Sequence, residues 1–322
     1  MKKILVTGCD GFIASYICEE LLNNDYEVFG IDNHSKYKYP YTDHHSRKNF
    51  SFILLDILDS LMLKNIMNRF QPDVVIHTAA IIGGIRMFHE RQYDIIAENA
   101  KMDAGILNAS IEAKVKRFIG LSSSMVYENA IDFPSSERDL SIIPPPSSTY
   151  GFSKLALEYM IKGAWEQYNL PYTIIRPFNA IGLRENDFME GKNSHVLPDL
   201  ISKVLKGQDP LHIFGDGNQI RCYTSAKDIA RGIRLAVESK YAINEDFNIS
   251  TSIATSVLVL AEKIWKKINK DKPFYYVSDE PYKYDVKVRV PNINKAKSLL
   301  GFQAEISLEQ TIDELIEYMR NK

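Results

Sequence analysis

The sequence predicts an α/β fold, a doubly wound parallel sheet with helices on both faces and a smaller C-terminal substrate-binding lobe. Three observations carry this. A short apolar, β-branched run, Lys2–Thr7, enters the glycine-rich turn Gly8-Cys9-Asp10-Gly11-Phe12-Ile13-Ala14 and then a helical pattern. Strand-like and helix-like stretches alternate up to about Asn179. Beyond that point the alternation loosens.

In order, the expected elements begin with the buried strand Lys2–Thr7 and an amphipathic helix Phe12–Asn23. A second strand, Glu27–Ile31, ends at Asp32. A third runs Phe50–Leu55 and ends at Asp56, followed by a helix Ser60–Phe70 and a buried strand Asp73–His77. A long helix Tyr93–Ala113 precedes the strand Arg117–Leu121, which leads into Ser122-Ser-Ser-Met-Val-Tyr127. Past Pro144-Pro-Pro146 come a helix Ser148–Tyr168 and a strand Tyr172–Arg176. In the second half we expect helices Ser194–Lys206, Ile229–Ser239 capped by Asp228, and Leu308–Met319. The division is residues 1–179 for the cofactor domain and 180–322 mainly for the substrate lobe. The segment Asp246–Ile249 is a candidate strand returning to the main sheet.

Strand, glycine turn and helix in this order build a pyrophosphate site of Rossmann type. Gly8 permits the tight turn, Gly11 lets the backbone approach phosphate, and amides at the helix start face the anion. Ala14 suits the third position, which needs only close helix–strand packing. Asp32 at the second strand end is placed to hydrogen-bond an adenosine ribose and repels a 2′-phosphate, which favours NAD over NADP. Lys36, Lys38 and Arg47 downstream pull the other way.

The 322 residues are 45% hydrophobic and 25% charged, the balance of a globular chain with a sizeable core. A net charge of −2 gives no electrostatic case for nucleic acid or an acidic membrane surface. Cys9, Cys18 and Cys222 have no metal-ligand spacing, so no metal is expected and free thiols in a reducing cytoplasm fit best. No apolar run is long enough to span a bilayer, and no signal peptide precedes the first strand.

Tyr150 and Lys154 stand four residues apart, on one face if the stretch is helical. A free tyrosine is about one part in a thousand phenolate at pH 7, and a nearby cation raises that fraction. Such a phenolate takes a proton from an alcohol while a hydride leaves the same carbon. The pair points to alcohol–ketone chemistry with a bound hydride acceptor.

Together the motifs resemble the extended short-chain dehydrogenase/reductases in their nucleotide-sugar branch, the NAD-dependent epimerase/dehydratases. They are Gly8-x-x-Gly11-x-x-Ala14, Asp32, Asp56, His77-Thr-Ala-Ala80, Asn99, Ser122-Ser-Ser-x-Val-Tyr127, Tyr150-x-x-x-Lys154, Arg176-Pro-Phe-Asn179 and the tail Asn292–Phe302. The resemblance covers nearly the whole chain. It implies Tyr150 as general base, Lys154 as the residue that positions the ribose and lowers the tyrosine pKa, and Ser123 as the partner of the reacting oxygen. It implies cofactor contacts from Gly8, Gly11, Phe12, Ile13, Asp32, Asn33, Asp56, Ile57, Ala79, Ala80, Asn99, Tyr150, Lys154 and Pro177. Substrate contacts fall to Gly84, Ser124, Met125, Asn179, His195, Val196, Arg221 and Arg289.

Ala79–Ile85 and Asn193–Pro198 resemble segments of GDP-fucose synthase and GDP-mannose 3,5-epimerase, where the histidine matching His195 is an acid. Arg221 and Arg289 match positions that clamp the sugar-nucleotide diphosphate. Two departures narrow the reaction. Relatives that epimerise C3 and C5 carry a cysteine where this chain has Met125, and 4,6-dehydratases carry Asp-Glu where it has Ser124-Met125. The hydride machinery remains, so the resemblance implies oxidoreduction at C4 of a GDP-linked sugar, closest to GDP-manno-heptose 4-dehydrogenases of capsule pathways. The alternative is a 4-epimerase of a UDP- or GDP-hexose, and after it a 3,5-epimerase/4-reductase. A cofactor-sensing binding protein on this fold would be expected to lack Tyr150 or Lys154. A homodimer through the helix after Asn99 and the helix carrying Tyr150 is also implied.

Overall fold

A computed structural model describes residues 2–37, 43–82, 90–186, 195–281 and 286–321. The main sheet takes seven strands: β1 (Lys3–Thr7), β2 (Glu27–Asp32), β3 (Phe50–Leu54), β4 (Val74–His77), β5 (Arg117–Leu121), β6 (Tyr172–Pro177) and β11 (Glu245–Ile249). Their order is β11-β6-β5-β4-β1-β2-β3, with every pairing parallel. Asp246–Ile249 thus does return to the sheet, against β6.

The helices are α1 (Phe12–Asn23), α2 (Ser60–Phe70), α3 (Gln92–Glu112), α4 (Thr149–Tyr168), α5 (Val196–Leu205), α6 (Ala226–Glu238), α7 (Val257–Asn269), α8 (Asn294–Leu300) and α9 (Leu308–Arg320). Alternation along the strands feeds two cores. Ile4 and Val6 of β1 and Val74 and Ile76 of β4 face one core with α1 and α6. Leu5 and Val75, the residues between them, face the other with α2, α3 and α4. Strands buried on both faces explain the continuous apolar runs in the sequence.

Short strands complete the second half: β7 (Ala180–Ile181), β8 (Leu211–Phe214), β9 (Ile220–Arg221), β10 (Thr224–Ser225), β12 (Thr255–Ser256), β13 (Tyr276–Asp279) and β14 (Val288–Arg289). A third core gathers Leu200 and Ile201 of α5, Ile213 of β8, Trp265 of α7 and Leu315 of α9. Among the described residues no helix is long and apolar enough to cross a membrane.

One cap differs from expectation. Ser225, not Asp228, caps α6, which starts three residues early; the Ser225 hydroxyl accepts from Lys227 N–H. Asp228 faces the loop before α9 instead. Its buried carboxylate accepts the Glu305 and Ile306 N–H groups and pairs with Arg231 (2.8 Å). Asp228→Ala orphans these amides and is expected to cost about 1–3 kcal/mol, read as a lower urea midpoint at unchanged slope.

Candidate active site

The strand order reverses between β1 and β4, which pair side by side while the connections that follow them run to opposite wings of the sheet. Loops leaving the carboxyl ends therefore open a crevice at that point. A cavity of about 750 Å³ occupies it and runs from the glycine turn to α5 and β8.

At one end lie Gly8, Gly11, Phe12 and Ile13. Gly8 has φ +67°, and a Cβ there would stand 2.9 Å from Ala79 Cα, so both the conformation and the approach of the β4 loop demand glycine. Helix α1 begins with no side-chain cap and no acid in its first turn, which leaves its first amides available to an anion. Asp32 lines the same end. Its carboxylate accepts Asp10 N–H (3.1 Å) and His34 N–H (2.8 Å), so it is fixed with lone pairs remaining. Burial raises its pKa, and these two amides oppose the rise. Asn33, Asp56, Ile57, Ala79 and Ala80 complete this wall, with Asn33 donating to Asp56 (3.1 Å). The residues present fit a dinucleotide: an uncapped helix start for the pyrophosphate, a fixed acid for the ribose, and the Ile57 side chain with the Asn33–Asp56 pair for the adenine.

Ser123, Tyr150, Lys154 and Pro177 line the middle of the cavity. Tyr150 and Lys154 share one face of α4 and are 4% and 5% exposed. Ser148 caps that helix through Gly151 N–H (3.1 Å), and Glu128 in turn holds the Ser148 hydroxyl (2.7 Å). Ser123 both accepts Met125 N–H (3.2 Å) and hydrogen-bonds the Tyr150 phenol.

The electrostatics depart from the expectation that Lys154 lowers the tyrosine pKa. Burial pushes Tyr150 up to about 12, and the groups that pull it back are Ser123 and the Arg289 guanidinium. The Lys154 ammonium donates to Leu121 O (3.0 Å), and burial lowers its own pKa against the opposing charge of Asp103.

Ser124, Met125, Asn179, His195, Val196, Arg221 and Arg289 line the remainder. Arg221 reaches the Ile220 (2.9 Å) and Lys287 (3.2 Å) carbonyls, and Arg289 Nη1 lies 3.3 Å from Met125 Sδ. His195 precedes α5 without capping it; its Nδ1 meets Glu185 Oε1 (2.5 Å). Gly84, like Asn193 and Ser194, lies outside the described residues.

Asn99, expected among the cofactor contacts, stands behind Ile81 of the cavity wall. Its buried amide accepts Ile81 N–H (2.7 Å) and donates to Ile81 O (3.3 Å), so it clamps the loop after β4. A buried Asn facing a backbone segment satisfies both of its polar groups that way.

Sequence reasoning missed Glu185, Asp199, Phe214 and Tyr223 in the cavity wall, and it read Lys36 only as a weak charge signal. No local pattern marks these residues; the fold brings them in. The Lys36 ammonium donates to Ile82 O (3.3 Å), and burial pushes its pKa down to about 8 against the opposing charge of Glu185. Its charge is present below that pH and lost above it. Dinucleotide affinity is therefore expected to fall as pH rises through 8. Lys36→Met should bind about tenfold more weakly at pH 7 and lose that pH dependence, measured by calorimetric titration.

The chain matches the model of the family described as "NAD dependent epimerase/dehydratase family" over residues 4–250. It is 31% identical to a UDP-N-acetyl-alpha-D-glucosaminuronate decarboxylase of Bacillus cytotoxicus, over 99% of this chain and 98% of that protein. Among solved structures it is similar to the Thermotoga maritima UDP-glucose 4-epimerase with UDP-glucose (TM-score 0.86, 32% identity, 99% of each chain). It is also similar to the Bacillus cereus UDP-glucuronic acid 4-epimerase with UDP-glucuronic acid and NAD (TM-score 0.85, 30% identity, 99% of each chain).

Proposed function

This chain belongs to the NAD-dependent epimerase/dehydratase family, and on that premise we propose that it oxidises C4 of a UDP-linked sugar to a ketone and returns the hydride, a 4-epimerase. The observation that carries the C4 chemistry is the meeting of Ser123, Tyr150 and Lys154 in the cavity that the glycine turn opens, with the Met125 thioether beside the phenol. NAD supplies the hydride acceptor when bound.

The chain's own residues do the rest. Tyr150 takes the proton of the C4 hydroxyl, and the Ser123 hydroxyl donates to the same oxygen. Lys154, anchored to Leu121 O, holds the ribose and adds positive charge. Arg221 and Arg289 take the diphosphate. Met125 can neither protonate a leaving hydroxyl nor abstract a carbon-bound proton. Hydroxyl elimination and C3 or C5 epimerisation are thereby disfavoured.

The expected GDP carrier gives way to UDP in this reading, because the relatives described above are named for UDP sugars. Net C4 oxidation is the second reading, supported by the same thioether. The test is incubation with UDP-glucose, UDP-N-acetylglucosamine, UDP-glucuronic acid and a GDP-hexose. A C4-inverted product without net NADH supports the proposal. NADH accumulating with substrate consumed favours the second reading. Solvent deuterium at C3 or C5 overturns both.

The homodimer is a further part of the proposal. Tyr93 of α3 and Phe152 and Tyr159 of α4 are exposed, Tyr93 by 80%. Such apolar area fits burial against a second copy. A monomeric mass at micromolar concentration would count against it.

A further inference from the structure

The turn that carries Gly8 and Gly11 also carries Cys9 and Asp10, which are not among the residues lining the cavity. The Asp10 carboxylate is fully buried and collects three imidazoles. His34 Nε2 lies 2.7 Å from Oδ2, and His44 and His45 Nε2 lie 3.1 and 2.8 Å from Oδ1. The rings are held by packing. His44 stands edge-on to Phe50 at 4.6 Å, His45 lies 4.6 Å from Phe52, and His34 stacks on Phe52 at 5.4 Å. Cys9 Sγ, an Asp10 oxygen and a His44 nitrogen lie within 4.8 Å of one another, and all three residues are buried.

We propose that Cys9, Asp10 and His44 form a zinc site behind the glycine turn, with a fourth position for His45 or His34. Thiolate, carboxylate and imidazole together are a zinc donor set. In a tetrahedral site, ligand atoms about 2.0–2.3 Å from the ion stand about 3.3–3.8 Å apart. The observed cluster, with its ligand atoms within 4.8 Å of one another, has to close by about 1 Å to reach that spacing. The charges close as well. Zn²⁺ displaces the Cys9 thiol proton to solvent, and thiolate and carboxylate then balance the ion. His44 coordinates through Nε2 as the neutral ring, with its proton on Nδ1. An imidazole that does not ligate keeps its hydrogen bond to Asp10 and orients the ligating carboxylate.

His34 and His45 side chains are 18% and 24% exposed, which gives the ion a way in. The site would brace a turn with two ligands in it. It takes no part in the hydride chemistry.

The test uses tag-free full-length protein stripped by a chelator, then titrated with Zn²⁺ against a chromophoric competitor. One equivalent is expected to bind and to raise the melting temperature. Co²⁺ in its place should give a thiolate-to-cobalt absorption band in the near ultraviolet. His44→Ala and Cys9→Ser should abolish stoichiometric binding, and His34→Ala should weaken it about 10–100-fold. No stoichiometric uptake by the unaltered protein overturns the proposal. So does Co²⁺ uptake without the thiolate band, a reading that needs no variant to fold. Uptake unchanged in both ligand variants overturns it too. None of these outcomes bears on C4 turnover, so the site and the proposed reaction stand or fall separately.

Discussion

Tyr150→Phe is expected to cut turnover about 10²–10⁴-fold while dinucleotide affinity stays the same. The ring packs against Ile95 and Met125, and phenylalanine keeps those contacts. Only the hydroxyl is lost, and Ser123 keeps its bond from Met125 N–H. The fold should therefore survive, with an unchanged melting temperature. The pH profile carries more information. Burial pushes the phenol up to about 12, so the free protein holds it protonated at neutral pH. The ionised form gains tenfold per pH unit below that value, so kcat/KM should climb with pH through the neutral range. Arg289 is one of the two groups that pull this pKa down. Arg289→Gln should move the rising limb to higher pH, an effect separable from any loss of substrate affinity. Turnover of Tyr150→Phe within tenfold of the parent would remove the general-base assignment.

Local chemistry was legible where one short segment decides the outcome. Helices α1 and α2 run over Phe12–Asn23 and Ser60–Phe70 as the apolar periodicity predicts, because amphipathic spacing and flanking turn residues act within a few positions. The Tyr150–Lys154 spacing placed both groups on one buried face for the same reason. Long-range partners were not legible. Asp228 reads as a cap from its position near a helix start, yet its acceptors are claimed by amides 77 and 78 positions away. The bonds by which Asn99 clamps Ile81 on the loop after β4 have no local signature either. The imidazoles around Asp10 come from positions 34, 44 and 45, and no short segment holds all three together with Asp10. A tyrosine pKa depends on how much water its surroundings exclude, and sequence spacing carries no measure of that.

Arg176→Met should show the largest loss of stability. The guanidinium is fully buried and makes a fork–fork pair with Glu158, Nε to Oε1 at 2.8 Å and Nη2 to Oε2 at 2.7 Å. It also donates to the Tyr127 hydroxyl (2.9 Å) and to Asp246 of β11 (2.6 Å). Methionine fills much of the volume but leaves the Glu158 carboxylate, 1% exposed, without its counter-charge. Removing one partner of a buried pair costs about 3–5 kcal/mol. An exposed pair such as Lys64–Glu112, with both side chains more than half exposed, contributes about 0–1 kcal/mol. The consequence reaches the active site through one residue. Glu158 Oε1 also accepts the Ser122 hydroxyl at 2.6 Å, and Ser122 is the backbone neighbour of Ser123. A Glu158 carboxylate that turns toward water for lack of its counter-charge releases Ser122 and lets the Ser123 hydroxyl drift from the Tyr150 phenol. Arg176→Met should thus lower kcat as well as the urea midpoint, with KM for the nucleotide sugar little changed. The double variant Arg176→Met/Glu158→Leu removes the stranded charge and should recover most of the stability without restoring kcat, because Ser122 still lacks its acceptor. Recovery of both together would show that Ser122 plays no part in placing Ser123.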